Sequence, residues 1–246
     1  MLPTECLATL KSRVEFTPSG DAVGNLTIGR GSMASDNGAP SPVLVGIIEN
    51  RIASGSLGVK ECEKLASLFK VAEAQKRGLI LYVDSAGARV SDGLPALGAF
   101  RHMYRAAVSA VSAGAPMMAV CGANCFGGAS MLAALAGTRV YSANTRLAMS
   151  GPSILAQAAG VSALDEAFAA MSVAAISGQA RSKLGACELM AADPASMGAS
   201  HFIGNDVIER HALLGTRLSK LPSTGKATVG EKIERKDFAK LYPQGY

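Results

Sequence analysis

Two short glycine-containing segments hold the residues best suited to chemistry. Residues 84–89 (D-S-A-G-A-R) follow the apolar run 79–83, and residues 122–130 follow the apolar run 116–121. Small side chains leave backbone N–H groups accessible to a ligand. If the two segments lie side by side, one N–H group from each donates to the same oxygen. That arrangement is an oxyanion hole, which stabilises the negative charge that develops on an oxygen in a transition state.

The two apolar runs predict neighbouring parallel strands. Each is rich in residues that favour strands and ends in small residues, as buried strands of α/β folds do. The runs lie about 35 residues apart, which is a typical spacing for one βαβ unit. We therefore expect residues 122–130 to form a loop that leads into a helix, as residues 84–89 do.

The rest of the chain repeats the order of strand, small-residue loop and helix. In the helix predicted at 95–111 we expect Leu97, Tyr104, Val108 and Val111 to face inward. The repeated order predicts an α/β fold with right-handed crossovers. The other predicted elements are a helix at 2–13, a hairpin of strands 25–32 and 43–48, a helix with Cys62, Leu65, Phe69 and Ala72 on its buried face, strands at 138–142 and 146–149, helices at 154–159 and 164–176, and a strand around Leu189.

Composition indicates one globular domain over residues 1–246. The chain is 49% hydrophobic and 17% charged, with a net charge of +5. Residues 217–246 form a basic tail, which we expect to be mobile or to wrap a partner. The charge suits a coenzyme phosphate or an acidic partner. No interleaving of basic and aromatic residues points to nucleic acid.

Neither a membrane segment nor a metal site is expected. The longest apolar run, 106–120, is short and contains Gly114 and Pro116, and residues 1–13 lack a signal-peptide core. The five cysteines, an odd number, indicate reduced thiols in a cytoplasmic protein. Cys121 and Cys125 lack the second ligand pair that zinc requires.

Two further features allow a functional and a structural interpretation. Residues 55–58 (G-S-L-G) precede a predicted helix, where they either face a phosphate or pantetheine group or form a plain entry turn. Arg89 either anchors a carboxylate or phosphate or braces the loop, and Asp84 either caps or braces it. The G-x-G-x-x-G and G-x-S-x-G patterns of dinucleotide-binding folds and α/β-hydrolases are absent from these loops.

The first segment, followed by Asp92 and Gly93, resembles the D-S-G-G-A-R-x-x-E-G signature of carboxyltransferase β-type domains. Ala86 stands where the signature has its first Gly, and Asp92 stands where it has Glu. Residues 122–129 resemble the same family's G-x-x-x-x-G-G-A segment, and the resemblance extends over roughly residues 13–192. It implies a crotonase-like ββα spiral that forms a single carboxyltransferase lobe.

The resemblance also implies roles for particular residues. Members of the crotonase superfamily polarise a thioester carbonyl with two backbone N–H groups and stabilise an enolate. The oxyanion hole is thereby assigned to Gly87, Ala88, Gly127 and Gly128. The implied substrate-binding residues are Ser85, Ala86, Arg89, Gly55, Ser56, Leu57, Gly58 and Phe126.

Within the family, the chain most resembles the β subunit of biotin-independent malonate decarboxylase. It has no four-cysteine zinc ribbon and is shorter than fused carboxyltransferases. The resemblance implies that a malonyl thioester of coenzyme A or of a carrier-protein phosphopantetheine group loses CO2 and becomes an acetyl thioester. No tightly bound cofactor is expected. The implied partners are an acyl carrier protein and a second γ- or α-type lobe, or a second copy of the chain.

Three alternatives remain open at this point. The first is a biotin-dependent acyl-CoA carboxyltransferase β subunit, which requires carboxybiotin and a biotin carrier. The second is an enoyl-CoA hydratase-like enzyme, which would usually place Glu or Asp near residues 130–136, where the chain has neither. The third is a non-catalytic lobe kept for assembly, although the small residues of both loops are intact.

Overall fold

The computed structural model describes residues 1–34, 39–151, 154, 160, 174–184 and 188–191, all within the compact unit Met1–Asn205. The predicted tail at 217–246 and most of the helices predicted at 154–159 and 164–176 lie outside these residues. The helices are α1 (Pro3–Arg13), α2 (Val59–Gln75), α3 (Gly93–Ser112), α4 (Gly128–Ala134) and α5 (Gly178–Arg181). The strands are β1 (Thr17–Pro18), β2 (Leu26–Ala34), β3 (Pro40–Ile48), β4 (Leu79–Ser85), β5 (Met117–Phe126), β6 (Thr138–Tyr141), β7 (Arg146–Ala148) and β8 (Glu188–Met190).

The described strands form one mixed sheet in the order β1-β2-β3-β4-β5-β6-β8, and β7 pairs with β5 beyond β6. The hairpin predicted at the N-terminus is confirmed, because β2 and β3 are antiparallel. The central strands β3, β4, β5 and β6 are parallel neighbours. Helices α2 and α3 connect β3 to β4 and β4 to β5 and pack against each other. This is the α/β arrangement that the sequence predicts.

Hydrophobic residues pack on both faces of the sheet: helices α2 and α3 cover one face, and helix α1 covers the other. In α2, the predicted inward residues Cys62, Leu65, Phe69 and Ala72 are all fully buried. Helix α1 contributes to a cluster on the sheet that joins residues of β3, β4, β5 and β6. The buried members of that cluster are Cys6, Leu10, Val14, Met33, Val43, Val45, Ile47, Ile80, Tyr82, Met118, Val120, Val140 and Ala191.

Helix α3 buries a different face from the predicted one. Leu97 is 38% exposed, Tyr104 and Val108 are half-buried, and only Val111 of the predicted set is buried. The buried stripe is rich in alanine at helical spacing, which lets α3 pack closely against α2, and it also includes Phe100 and Met103. Its members are Ala96, Phe100, Met103, Ala106, Ala107, Ala110 and Val111.

Strand β5 is longer than the sequence predicts. The prediction ended the strand at Cys121 and assigned residues 122–130 to a loop, but β5 continues to Phe126. The reason is a second partner: β6 pairs with residues 118–121 of β5, and β7 pairs with residues 124–126. Hydrogen bonds to a strand distant in sequence thus keep a glycine- and asparagine-containing segment extended.

The four cysteines of the described residues, Cys6, Cys62, Cys121 and Cys125, are buried and form no disulfide. Burial raises the pKa of Cys6 to about 11 and that of Cys62 to about 12, so both thiols stay protonated at neutral pH. Cys187 lies outside the described residues. Within the described ranges, no helix combines the length and apolar character required to cross a membrane.

Glu188 of β8 is expected to stabilise the edge of the sheet. It pairs with Arg139 of β6 and accepts a hydrogen bond from Tyr141, and both members of the ion pair are less than one fifth exposed. Glu188→Gln leaves a buried guanidinium without its counter-charge, so we expect a loss of about 3 kcal/mol or more in the free energy of unfolding. Urea denaturation measures this loss.

The matched control is Glu49→Gln, whose partner Arg51 is 40% exposed. For this surface pair we expect a loss below about 1 kcal/mol. Equal losses in the two variants would contradict a stabilising role of the buried pair.

Candidate active site

The structure brings the two predicted segments together at the carboxyl ends of β4 and β5. A Cβ atom placed on Gly87 would lie 2.6 Å from the backbone nitrogen of Gly128. A Cβ atom placed on Gly127 would lie 2.9 Å from the carbonyl oxygen of Ala86. The two loops therefore touch backbone to backbone, which only small residues permit.

Two of the four N–H groups assigned to the oxyanion hole already have acceptors. The Gly87 N–H donates to the Ser85 hydroxyl at 3.0 Å. The Gly127 nitrogen lies 3.2 Å from the carbonyl oxygens of Ala148 and Met149. These two glycines shape the loops, and their N–H groups are occupied within the protein.

The N–H groups of Ala88 and Gly128 have no acceptor among the described residues. Ala88 forms a parallel bridge with Leu57, in which Leu57 donates to Gly87 and Arg89 donates to Leu57, each at 2.8 Å. In a parallel bridge the central residue's own N–H group points away from the partner strand. Gly128 is the first residue of α4, so its N–H group has no acceptor within the helix.

The backbone conformation explains why Ala is accommodated at position 86. Gly87 has φ +91°, a conformation that side chains disfavour, whereas Ala86 is not among the residues with positive φ. The Ala86 N–H group donates to the Ser54 carbonyl at 3.0 Å. The departure from the family signature therefore falls on the residue of the pair that tolerates a Cβ atom.

The predicted loop Gly55 to Gly58 forms a wall of the site. Its residues Gly55, Ser56, Leu57 and Gly58 are buried, and a Cβ atom on Gly55 would lie 2.2 Å from the Asp84 carbonyl oxygen. The loop thus packs directly against the first segment through backbone contacts. Its contact with substrate stays a prediction.

Asn25 holds this wall in place, and sequence reasoning missed it. The side chain is fully buried, and its amide nitrogen donates to the carbonyls of Ile52 (2.9 Å) and Ser56 (2.7 Å). Its oxygen accepts from the N–H groups of Arg51 and Ile52 at 3.2 and 2.8 Å. One side chain thereby satisfies four backbone groups of a loop that has no regular partner. The only sequence signal was a polar residue at the start of a strand.

Arg89 braces the site. Its guanidinium donates to Glu61 at 2.6 Å and to the Ser56 carbonyl at 2.7 Å, and it lies 3.6 Å from the Asp92 carboxylate. The Glu61 side chain is only 5% exposed, so the pair is largely desolvated. Asp92, which replaces the Glu of the signature, still supplies a carboxylate to Arg89. The bracing interpretation is therefore the one that these contacts support.

Two phenylalanines flank the second segment. Phe126 is half-buried at the end of β5, and the Arg146 guanidinium lies 5.7 Å from its ring centroid. Phe100 of α3 lies beneath Gly128, where a Cβ atom would come within 2.4 Å of the ring. Phe100 was missed because the buried face of α3 was predicted wrongly.

Asp84 is a second buried carboxyl group of the site, in addition to Glu61. It accepts hydrogen bonds from the N–H groups of Ala123 (3.1 Å) and Asn124 (3.0 Å). Burial raises the pKa of Asp84, whereas these two bonds and the charge of Arg146 counteract the rise. His102 is exposed on α3, so the only histidine in the described ranges lies outside both loops.

Residues 40–206, more than half of the 246-residue chain, match the model of the carboxyl transferase domain. The chain belongs to the carboxyl transferase domain family. No curated protein matches it by sequence comparison.

Solved structures show the fold of this carboxyl transferase domain to be crotonase-like. A Pseudomonas malonate decarboxylase hetero-tetramer in complex with malonate aligns with TM-score 0.73 and 20% identity, over 98% of this chain and 95% of that chain. A Pseudomonas malonate decarboxylase hetero-dimer aligns with TM-score 0.69 and 21% identity, over 87% and 94%. Transcarboxylase 12S, with methylmalonyl-coenzyme A bound, aligns with TM-score 0.60 and 20% identity, over 95% of this chain but 45% of that chain.

Gly128→Ala is expected to destabilise the carboxyl transferase domain by about 1–3 kcal/mol, because its Cβ atom meets the Phe100 ring. The double variant Gly128→Ala/Phe100→Leu removes part of the ring, so its loss should be smaller than the sum of the two single losses. Urea denaturation of the four proteins measures the coupling. Additive losses would show that Phe100 does not limit the space at Gly128.

Arg89→Met is expected to lower the free energy of unfolding by about 3–5 kcal/mol, because it leaves the Glu61 carboxylate buried without its partner. In the double variant Arg89→Met/Glu61→Gln that charge is absent, so the loss should fall well short of the sum of the single losses. A thermodynamic cycle by urea denaturation tests this. Independent effects of the two substitutions would contradict the bracing role.

Proposed function

We propose that this carboxyl transferase domain decarboxylates a malonyl thioester to the acetyl thioester without biotin. The thioester is carried by coenzyme A or by the phosphopantetheine-type group of an acyl carrier protein. The observation that carries the proposal is the pair of N–H groups on Ala88 and Gly128, which have no acceptor among the described residues and lie at two loops that touch. The proposal narrows the oxyanion hole from the four predicted residues to these two donors.

The reaction needs stabilisation of an oxyanion more than it needs a strong base. The bond between the α-carbon and the carboxylate breaks, CO2 leaves, and the electron pair forms an enolate on the thioester oxygen. Two preorganised N–H donors stabilise that oxygen, and removal of one such donor typically costs about 3–4 kcal/mol. A proton from water then converts the α-carbon to the methyl group of the acetyl thioester.

The extent of the structural likeness supports this choice among family reactions. The alignments with the malonate decarboxylase structures cover 87% and 98% of this chain and 94% and 95% of those chains. The transcarboxylase 12S chain is about twice as long as the part of it that aligns. The second candidate is a biotin-dependent acyl-CoA carboxyltransferase subunit, and the likeness to transcarboxylase 12S favours it. The oxyanion chemistry is common to both, because each passes through the same enolate.

We further propose that a second carboxyltransferase-like lobe, or a second copy of this chain, covers the surface around the loops. Large apolar side chains are exposed on the elements that border the site: Val90, Leu94, Leu97, Met131 and Met149. Met149 lies next to the hole, because its carbonyl is within 3.2 Å of the Gly127 nitrogen. A partner that buries these residues also excludes water from the enolate.

We place the protein in the cytoplasm. The four cysteines of the described residues are buried free thiols, which fit a reducing compartment. Acyl thioesters of coenzyme A and of carrier proteins would meet the enzyme there.

The deciding experiment measures release of labelled CO2 from malonyl-CoA and from malonyl-carrier protein, without biotin, by the purified chain alone and with a candidate second lobe. We expect release in at least one combination. Gly87→Ala should reduce it about 100- to 1,000-fold, because the added Cβ atom lies 2.6 Å from the Gly128 nitrogen and blocks access of the oxygen.

Gly98→Ala is the matched control. Gly98 lies in α3, where an added Cβ atom would meet nothing within 4 Å beyond its chain neighbours and the backbone of its own helix, so this variant should keep full activity and gain about 0.4–1 kcal/mol of stability. Urea denaturation confirms that each variant is folded at the assay temperature. Carboxyl exchange that appears only with biotin would move the assignment to a carboxyltransferase subunit, and inactivity under all conditions would favour the assembly role.

A further inference from the structure

Strand β5 contains two extra residues close to the site. Between the pairs Val83–Cys121 and Ser85–Cys125, β4 advances by two residues and β5 by four. The irregularity falls where β5 leaves β6 and begins to pair with β7. Such a bulge leaves backbone groups without ladder partners, and these groups need other acceptors and donors.

Side chains from two other segments satisfy the bulge. On one side, the Asp84 carboxylate accepts from Ala123 and Asn124 at 3.1 and 3.0 Å. On the other side, the Thr145 hydroxyl lies 2.7 Å from the Gly122 carbonyl oxygen and 3.0 Å from that of Cys121. We call Asp84 and Thr145 the bulge clamp. Asp84 is 8% exposed and Thr145 is 1% exposed, so water does not readily replace either contact.

Residues of the bulge leave space for the Asp84 side chain and make further contacts. A Cβ atom on Gly122 would lie 2.8 Å from the Asp84 carboxylate, so only Gly leaves room for that side chain. The Asn124 side chain accepts from the Arg146 guanidinium at 2.6 Å, and the same guanidinium lies over the Phe126 ring. These contacts involve Asn124 and Phe126, which lie between the bulge and the end of β5.

We propose that Asp84 is a positioning residue for the oxyanion hole, and that the bulge clamp sets where the Gly128 N–H group lies relative to that of Ala88. This inference rests on the proposed function. Gly128 lies four residues after Asn124, and Cys125, Phe126 and Gly127 connect the two. Asp84 itself lies four residues before Ala88. Its carboxylate therefore links the segment that carries the Ala88 N–H group to the segment that carries the Gly128 N–H group.

The geometry of an oxyanion hole makes such a clamp consequential. Its donors must lie within about 2.7–3.1 Å of the oxygen. A slip of β5 by one residue moves its end by roughly 3.3 Å, which takes the Gly128 N–H group out of reach. Even a misplacement of about 1 Å lowers catalytic rates by about 100-fold.

The test is Asp84→Asn in the complex that shows activity. The variant keeps the shape of the side chain but points an NH2 group at one of the two N–H donors, so it loses an acceptor. We expect kcat to fall roughly 10- to 100-fold with KM changed less than about twofold. Substrate binding should be largely retained, because the Gly55 to Gly58 wall contacts the backbone of Asp84 and not its carboxylate.

The pH profile separates positioning from mere stability. The ionisable groups that face Asp84 are Arg146 from β7, Tyr82 from β4 and Cys125 from β5. Burial raises the pKa of Tyr82, and the Cys121 side chain and burial raise that of Cys125, so neither ionises in the acid range. Wild-type kcat should therefore fall as the pH drops through the raised pKa of Asp84. Asp84→Asn should lack that decline.

Glu188→Gln is the control for destabilisation, because Glu188 is a buried carboxylate that pairs with Arg139 away from the loops. It should lower stability and keep wild-type kcat below its melting range. Thr145→Val removes the other half of the clamp with little change in shape, so a several-fold loss of kcat is expected. It also keeps the inference testable if Asp84→Asn does not fold.

Hydrogen exchange gives a readout that does not require activity. Asp84→Asn and Thr145→Val should accelerate amide exchange in peptides covering residues 117–131 more than in peptides covering α2 and β2, whereas Glu188→Gln, which lowers global stability, should accelerate exchange without that preference. The inference would be overturned if the wild type is active and both clamp variants keep its kcat and its exchange rates. An inactive wild type with accelerated exchange in both variants would instead overturn the proposed function and retain the positioning role.

Discussion

The parallel pairing of β4 with β5 is the constraint on which the rest of the site depends. Parallel neighbours lie roughly 4.8 Å apart, so the loops at their carboxyl ends emerge almost in contact. Gly87 and Gly128 allow that contact, since any side chain there would collide with the other loop or with Phe100. The proposed oxyanion hole would thus follow from sheet geometry, with small residues that leave it accessible to a ligand.

Buried polar contacts fix this arrangement from several sides. Asn25 holds the wall formed by residues 55–58, and Arg89 with Glu61 ties that wall to the first loop. A desolvated ion pair gives little net stability, but loss of one partner is costly. Such pairs are suited to a site that must hold one geometry. Asp84 acts in the same way on the second loop, because it replaces the ladder partners that the β5 bulge lacks.

The departures from the family signature agree with this picture. Ala86 occurs where the backbone tolerates a side chain, and the neighbouring position with φ +91° keeps its Gly. Asp92 is one methylene shorter than Glu but still lies 3.6 Å from Arg89. Ala86 is thus compatible with the local backbone, and Asp92 keeps a carboxylate beside Arg89.

The sequence by itself determined the strands that lead into the site, the buried face of α2, the two small-residue loops and their family. These features depend on local periodicity and on motifs of a few residues. Only the tertiary structure decided that β5 continues to Phe126, that Phe100 lies beneath Gly128 and that Ala88 and Gly128 find no acceptor for their N–H groups in the described part of the chain. Each of these outcomes depends on a partner distant in sequence: β7 for β5, α4 for α3, and Leu57 for the Ala88 segment. Hydrogen-bond satisfaction is a property of the assembled sheet, and no local pattern encodes it.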